Sequence, residues 1–278
     1  MVETAPILDD LAKKSYDRIA VEDGDYRGED GFWYCGKCHT PKEQITEAMG
    51  RQFRHMIPCK CEAEKMKARE ELEKHMHYRD NLLDRCFRYP EMRDWTFEND
   101  NGNNPGLATV CRNFVENFGE FSEAGRGLLL YGSPGIGKSW FAACVANALI
   151  EREIACKFLD FTQIGNELIG MGNGRNDYIE TLARYPLLIL DDLDAERNTS
   201  FMDEVVFSVI DARTKAKTPL LVTTNLTRDE LSNPKDTGKR RIISRLYQIC
   251  MPYEVVGSDQ RYKGLSGDYK HFKNLLGI

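Results

Sequence analysis

The segment from Gly132 to Ser139 reads Gly-Ser-Pro-Gly-Ile-Gly-Lys-Ser, so three glycines precede a lysine and a hydroxyl. Glycines adopt positive φ angles and carry no Cβ, which lets the backbone N–H groups of such a loop surround a phosphate. Lys138 is expected to contact the β- and γ-phosphates, and the Ser139 hydroxyl is expected to bind Mg²⁺. The motif predicts a nucleoside triphosphate site formed by Gly132, Ser133, Pro134, Gly135, Ile136, Gly137, Lys138, Ser139 and Trp140.

The residues on either side of this loop fit the strand–loop–helix setting that the motif requires. Residues 127–131 form an apolar run that is typical of a buried strand, and residues 140–150 form a strong helical pattern. A glycine-rich turn that matches by chance is the alternative, and it would not need these flanks. The loop is therefore expected to join a strand of a parallel sheet to a helix.

Paired carboxylates supply a second signal, because the apolar run over residues 186–190 ends in Asp191 and Asp192. Ligands of a parallel sheet bind at the carboxyl ends of its strands, so both carboxylates are expected beside the phosphates. Asp191 is expected to hold Mg²⁺ through water, and Asp192 to orient or deprotonate the attacking water. The next apolar strand ends in Thr224 and Asn225, either of which could bind that water or the γ-phosphate.

Two close cysteine pairs precede these motifs, Cys35 with Cys38 and Cys59 with Cys61. Each pair lies in a tight turn beside Gly or Pro, so four thiolates can converge on a tetrahedral zinc ion. The second pair is CxC rather than CxxC, so His39 or His55 could replace one thiol; a redox CxxC and unrelated cysteines are the alternatives. The pattern predicts a small structural zinc module that gains folding free energy from its metal.

Composition and charge restrict the classes of partner. The chain has 278 residues, of which 41% are hydrophobic and 29% charged, and no apolar run reaches the length of a membrane span. The acidic start lacks the order of an export signal, so the sequence predicts a cytoplasmic protein with no membrane partner. A net charge of −6 argues against a general polyanion binder, so contact with nucleic acid would require a local basic patch.

Two domains are expected. Residues 1–90 contain the cysteines, a weakly helical start and a long charged helix over 62–87, which is either a solvated linker or a partner-binding face. Residues 91–278 alternate strands and helices, which predicts an α/β domain with a central parallel sheet. A basic, aromatic tail could stack on single-stranded nucleic acid or dock as a terminal helix through Phe272 and Leu275.

Together, these motifs resemble the DnaC/DnaI-type replicative helicase loaders, which belong to the AAA+ ATPases. The resemblance covers about residues 95–261 and is carried by Gly132–Ser139, Leu187–Glu196, Leu221–Leu226 and Arg241–Leu246. It implies an α/β fold of the AAA+ P-loop ATPase type, preceded by a small zinc-binding helical module. It also implies that Asn225 is the sensor-1 residue and that Arg245, with Arg241 beside it, is an arginine finger that completes a neighbouring subunit's ATP site.

The resemblance further implies ATP-dependent loading of a hexameric DnaB-type replicative helicase onto single-stranded DNA. ATP, Mg²⁺ and Zn²⁺ are the implied cofactors. The resemblance also implies that the subunits self-associate into a ring or spiral and that residues 1–90 contact the helicase. Two positions depart from the family pattern: Asp192 replaces the usual Glu, which implies slow turnover stimulated by DNA or a partner, and Asp194 replaces Gly.

Three other functions fit parts of the same pattern. An IstB-like transposition helper ATPase is similar in every ATPase motif and differs in its partner; the cysteine-rich module favours the loader. A small-molecule P-loop kinase would need an acceptor pocket and a lid, and would have no use for Arg245 in a neighbour. A zinc-containing adaptor that binds ATP without hydrolysis is the third alternative.

Overall fold

The computed structural model describes residues 13–14, 21–48, 50–171, 174–193, 200–234, 236–260 and 272–277. The chain forms two compact units that divide after His77. The weakly helical start, Asp194 and most of the basic tail lie outside the described residues. Phe272 and Leu275 are more than half exposed, and docking of a terminal helix through them stays a prediction. Within the described ranges, no helix combines the length and apolarity needed to cross a membrane.

The first unit contains two small antiparallel hairpins. These consist of β1 (Tyr26–Arg27) with β2 (Trp33–Tyr34), and β3 (Glu43–Ala48) with β4 (Arg51–Met56). A buried ion pair joins them, because the Lys42 ammonium lies 2.8 Å from an Asp25 carboxylate oxygen and both side chains are at most 4% exposed. Asp25 also accepts the backbone N–H of Gly36, within the first cysteine turn. Polar contacts thus hold together a unit that is too small for a large apolar core.

A helix, α1 (Lys60–Cys86), continues from the first unit into the second. Its charged side chains pair across one helical turn, as in Glu70 and Lys74, whose charged atoms lie 2.6 Å apart. The apolar side chains of Met66, Leu72 and Met76 are exposed. The last turns differ, since Leu82, Leu83 and Cys86 are buried in the core of the second unit. The helix is therefore solvated along its first part and anchored at its end.

The second unit is built on a five-stranded sheet in which every pair of neighbours is parallel. Its order is β6-β7-β8-β5-β9, formed by β6 (Cys156–Asp160), β7 (Leu187–Leu193), β8 (Leu220–Thr224), β5 (Gly127–Tyr131) and β9 (Cys250–Glu254). The central strands are apolar runs because helices cover both faces. This confirms the predicted parallel sheet. Strand β9 is an edge and contains Pro252.

Eight helices of the described residues accompany this sheet. They are α2 (Pro105–Glu116), α3 (Phe118–Glu123), α4 (Lys138–Ile150), α5 (Phe161–Gly170), α6 (Arg175–Arg184), α7 (Ser200–Ala216), α8 (Arg228–Ser232) and α9 (Thr237–Ile249). Along β5, Leu128 and Leu130 belong to a core with α2 and α4, whereas Leu129 belongs to a core with α5, α7 and α9. This alternation follows from the two-residue period of a strand and places apolar helices on both faces of the sheet.

A buried arginine ties two elements of this unit together. Arg213 of α7 is fully buried, and its guanidinium donates to the carbonyl oxygens of Leu182, Ala183, Tyr185 and Pro219. The first three carbonyls lie at the C-terminal end of α6, where the helix dipole favours a cation. Burial lowers the pKa of Arg213 to about 9. The arginine therefore fixes the end of α6 against the residue that precedes β8.

We expect Arg213→Leu to lower the free energy of unfolding by about 3 kcal/mol or more, because it leaves buried carbonyl groups without donors. Urea denaturation followed by circular dichroism measures this change. Arg184→Leu is the matched control, since Arg184 of α6 is 79% exposed and makes only a surface pair with Glu180. Equal denaturation midpoints for the two variants would contradict the structural role of Arg213.

Candidate nucleotide site and cysteine cluster

The glycine-rich loop connects β5 to α4 in a conformation that requires its glycines. Gly132, Gly135 and Gly137 have φ angles of 141°, 76° and 97°. A Cβ at Gly132 would overlap the carbonyl oxygen of Val255, and one at Gly135 would overlap the Asp259 carboxylate. Helix α4 begins directly after the loop, so its positive N-terminal end lies at the site. This geometry suits the binding of an anion.

Lys138 spans the loop. Its side-chain nitrogen lies 2.8 Å from the Gly132 carbonyl oxygen, 2.7 Å from that of Ser133 and 2.8 Å from Asn225 Oδ1. Lys138 is only 5% exposed. An ammonium group has three N–H donors, and these three acceptors match them in number. The lysine therefore connects the loop to the residue that follows β8.

Asn225 extends this connection to the paired carboxylates, because its Nδ2 donates to Asp192 Oδ1 at 2.7 Å. Asp192 has a φ of 59°, which is uncommon for a residue other than glycine. The pairing of β7 with β8 is irregular between Leu190 and Leu193, and such a bulge re-aims side chains. The structure thus brings Lys138, Asn225 and Asp192 together. The backbone of Asp192 is in an uncommon conformation of the kind that often occurs at functional sites.

Asp191 lies beside Asp192 and contacts two hydroxyl groups. Thr223 Oγ1 donates to Asp191 Oδ1 at 2.6 Å and accepts the Asp192 N–H at 2.9 Å. The Ser139 hydroxyl also hydrogen-bonds Asp191. Burial raises the pKa of Asp191, and the two hydroxyl contacts oppose that rise. A carboxylate beside a hydroxyl supplies the oxygen ligands that Mg²⁺ takes in proteins.

Thr223 is a site residue that sequence analysis missed. Thr224, which the sequence offered as an alternative to Asn225, is fully buried and donates to the Leu193 carbonyl oxygen at 2.8 Å. Neighbouring side chains of a strand point to opposite faces, so only one of the two threonines can reach the carboxylates. The choice depends on the register between β7 and β8, which neither segment reveals alone.

The loop and the two strand ends enclose one cavity. Its volume is about 250 Å³, and it is lined by Trp95, Gly135, Gly137, Lys138, Ser139, Trp140, Asp192, Thr223 and Asn225. Of the other predicted loop residues, Ile136 is buried in the core, whereas Ser133 and Pro134 are exposed. A second cavity of about 220 Å³ shares Gly137 and Trp140 with the first. Together they form a cleft large enough for an extended ligand.

Arg241 and Arg245 lie on α9 and are absent from the lining of the first cavity. The Arg245 guanidinium lies 3.2 Å from Asp211 of α7. The Arg241 guanidinium lies 4.2 Å from the centre of the Phe207 ring. Within one subunit, the described residues therefore do not bring these arginines to the loop, and the finger role stays a prediction.

The four cysteines of the first unit converge. The sulfur atoms of Cys35, Cys38, Cys59 and Cys61 all lie within 4.8 Å of one another, and those of Cys35 and Cys61 are 3.7 Å apart. Tetrahedral zinc with Zn–S bonds of about 2.3 Å requires sulfur atoms about 3.8 Å apart. The separations fit a four-thiolate site, so this cluster could hold zinc.

The pKa values of two thiols in the cluster are shifted in opposite directions by their surroundings. A hydrogen bond from the Thr40 hydroxyl lowers the pKa of Cys38 to about 5. Burial raises the pKa of Cys59 to about 12. Zinc binds thiolates and releases their protons, so a bound ion would favour the charged form of all four sulfurs.

Neither histidine considered as a ligand joins this cluster. His39 Nδ1 lies 3.2 Å from the Tyr26 hydroxyl, and His55 Nε2 lies 3.0 Å from Gln44 Nε2. Strand pairing explains the second contact, because Gln44 of β3 lies opposite His55 of β4. For the part of the chain that the structure describes, the candidate ligand set is four cysteines.

We expect the purified protein to contain one zinc ion per chain, measured by mass spectrometry of the metal. Cys61→Ser should lower this content, because serine is a poor ligand for zinc, and cobalt substitution should give the absorption of a four-thiolate site. His39→Ala and His55→Ala are the controls and should retain full metal content. Loss of zinc in either histidine variant would contradict the four-cysteine assignment.

The class of the second unit follows from this geometry. A parallel sheet with a P-loop after β5, and with Asp191, Asp192 and Asn225 at neighbouring strand ends, is the nucleotide-binding core of an AAA+ protein. Residues 107–263, more than half of the chain, match the family model of the IstB-like ATP binding proteins. The chain belongs to this family.

Individual relatives agree with this assignment. The chain is 25% identical over 219 residues to the replicative helicase loader DnaI of Bacillus subtilis (strain 168). This alignment covers 74% of the present chain and 67% of DnaI. The crystal structure of DnaI aligns with a TM-score of 0.52 and 24% identity, over 63% of this chain and 95% of that one. The crystal structure of the DnaC helicase loader aligns with a TM-score of 0.52 and 23% identity, over 60% of this chain and 100% of that one. The sequence match confirms the resemblance to DnaC/DnaI-type loaders, and the structural matches show a shared fold.

Proposed function

We propose that this protein is an ATPase that loads a hexameric, DnaB-type replicative helicase onto single-stranded DNA. The observation that carries the proposal is the similarity to the DnaI loader, which spans 74% of the chain and so reaches beyond the family-model segment 107–263. The likeness is thus wider than the ATPase motifs that an IstB-like transposition helper would share. In this proposal, residues 1–90 contact the helicase and are held in shape by zinc.

Nucleotide binding would begin with the lysine. A phosphate that accepts a hydrogen bond from Lys138 competes with its present acceptors, among which Asn225 lies outside the loop. Release from the lysine would free the Asn225 amide to bind the γ-phosphate or the attacking water. The loop N–H groups and the N-terminal end of α4 would bind the phosphates without rearrangement. Occupancy of the loop is thereby linked to the end of β8.

Hydrolysis would use the carboxylates. Asp192 would orient or deprotonate the water, and its contact with Asn225 keeps it beside Lys138. Ser139 and Asp191 would hold Mg²⁺, which neutralises negative charge on the phosphate oxygens when bound. Aspartate is one methylene shorter than the glutamate of most AAA+ proteins, so turnover is expected to be slow until DNA or a partner stimulates it.

Arg245 would complete the site of a neighbouring subunit, with Arg241 beside it on α9. The Arg245 side chain is 38% exposed and its pair with Asp211 is partly solvated, so the pair is weak enough to exchange for a phosphate. An arginine finger supplied in trans accelerates phosphoryl transfer by about 10³- to 10⁵-fold. Hydrolysis would therefore depend on self-association into a ring or spiral.

Mixing two inactive variants tests this dependence. Lys138→Ala should abolish nucleotide binding, whereas Arg245→Ala should bind ATP but hydrolyse it at least about 10³-fold more slowly than the wild type. In a mixture, the Arg245→Ala subunit offers an intact loop and the Lys138→Ala subunit offers the finger, so phosphate release should rise above that of either variant alone. Arg240→Ala, at an exposed neighbouring position of α9, is the control and should hydrolyse ATP normally. Mixtures that stay inactive would contradict an active site shared between subunits.

The loader role itself is tested with the full chain, a DnaB-type helicase and circular single-stranded DNA. ATP should increase the amount of helicase that resists removal from the circle, because a closed hexamer cannot enter DNA that has no ends. Cys61→Ser should retain ATP binding and lose helicase loading, since its defect is confined to the first unit. Stimulation of a transposase with no effect on any helicase would favour the transposition helper instead.

A further inference from the structure

The second cavity of the cleft lies where the base of a bound nucleotide would reach. It shares Gly137 and Trp140 with the cavity that contains Lys138, so a ligand with phosphates in the loop extends directly into it. Its apolar lining is contributed by Ile136, Trp140 and Phe141. Its polar lining comes from the asparagine-rich segment at residues 99–104 and from Gln260. Apolar walls with few polar groups are typical of sites that bind a flat heterocycle.

Gln260 is fixed in place from two sides. Its backbone N–H donates to the Gly135 carbonyl oxygen of the loop at 2.8 Å. Its side-chain Nε2 donates to the Ser258 carbonyl oxygen at 2.8 Å. A carbonyl oxygen only accepts hydrogen bonds, so this contact requires the amide nitrogen at that position and determines where Oε1 lies.

The other end of this amide has an unmet requirement. Gln260 Oε1 is buried, and no donor among the described residues reaches it. A buried acceptor without a donor is unfavourable, so a ligand that brings an N–H group into the cavity gains from the contact. The segment that leads to Gln260 is also held, because Asn104 Nδ2 donates to the carbonyl oxygen of Val256, four residues earlier, at 3.3 Å. The acceptor is therefore positioned before any ligand binds.

We infer that Gln260 selects adenine over other purines by accepting a hydrogen bond from the amino group at C6 of the base. The inference rests on the proposed function, because it requires a nucleotide in the cleft. Adenine carries a donor at C6, whereas guanine and hypoxanthine carry a carbonyl oxygen whose lone pairs would face Gln260 Oε1. A site with a buried acceptor rejects such a ligand because both acceptors stay unpaired.

The test compares ATP with inosine triphosphate, which replaces the C6 amine of ATP by a carbonyl and is otherwise the same. Binding to the full chain with Mg²⁺ is measured by calorimetry. The wild type should bind ATP at least about 10-fold more tightly. Gln260→Leu should bring the two affinities together, because it removes the bond to the C6 amine of ATP and also the unpaired acceptor that opposes inosine triphosphate. Binding of inosine triphosphate that is at least as tight as in the wild type shows that the variant is folded.

Two further variants complete the test. Gln260→Asn keeps an amide but withdraws it by one methylene, so its oxygen should no longer reach the base and the preference for ATP should weaken. Gln52→Leu removes an exposed glutamine of β4 in the other unit and should match the wild type. Tight but equal binding of both nucleotides by the wild type, or a preference that persists in Gln260→Leu, overturns the inference alone. If neither nucleotide binds the wild type, the proposed function is overturned as well.

Discussion

The candidate nucleotide site depends on hydrogen bonds of the Lys138 ammonium, three of which define its position. Two go to carbonyl oxygens of the loop itself, and the third goes to Asn225. A cation that is almost fully removed from water is very unfavourable without acceptors, so all three contacts constrain the structure around it. The loop must keep its carbonyl groups turned inward, and the end of β8 must stay beside it. One buried charge thereby fixes two elements that are far apart in the sequence.

The order of the sheet makes this connection feasible. Strand β5 leads into the loop, β8 lies next to it, and β7 lies beyond β8. Parallel strands all end at the same edge, so Asn225 lies between Lys138 and Asp192 and can contact both. Thr223 of the same strand contacts Asp191 and the Asp192 N–H. A single strand end therefore organises the lysine and both carboxylates.

Sequence patterns were sufficient for the elements and for most of the site. Leu187–Leu190 could be read as a buried strand because parallel strands covered on both faces are continuous apolar runs. The glycines of the loop were equally readable, since their spacing reflects the backbone's own steric limits. The cysteine cluster was predicted from two short spacings that bring sulfur atoms together locally.

What the sequence did not reveal depends on contacts between distant segments. The choice of Thr223 over Thr224, and the left-handed φ of Asp192, follow from how β7 and β8 are aligned. The sequence could not exclude His55 as a zinc ligand, because its contact with Gln44 becomes visible only once β3 and β4 are paired. The amide of Gln260 is set by a carbonyl group two residues away and by the glycine-rich loop. Such features are properties of the assembled fold rather than of any one motif.

The proline in β9 bears on how partly folded chains associate with one another. An outer strand exposes backbone groups that can recruit a strand from another polypeptide, which is how many aggregates start. Pro252 has no N–H to offer, so a foreign strand that tried to extend the sheet past β9 could form only an interrupted ladder. Pro252 is therefore expected to limit aggregation during refolding at high concentration, apart from any role in the folded protein.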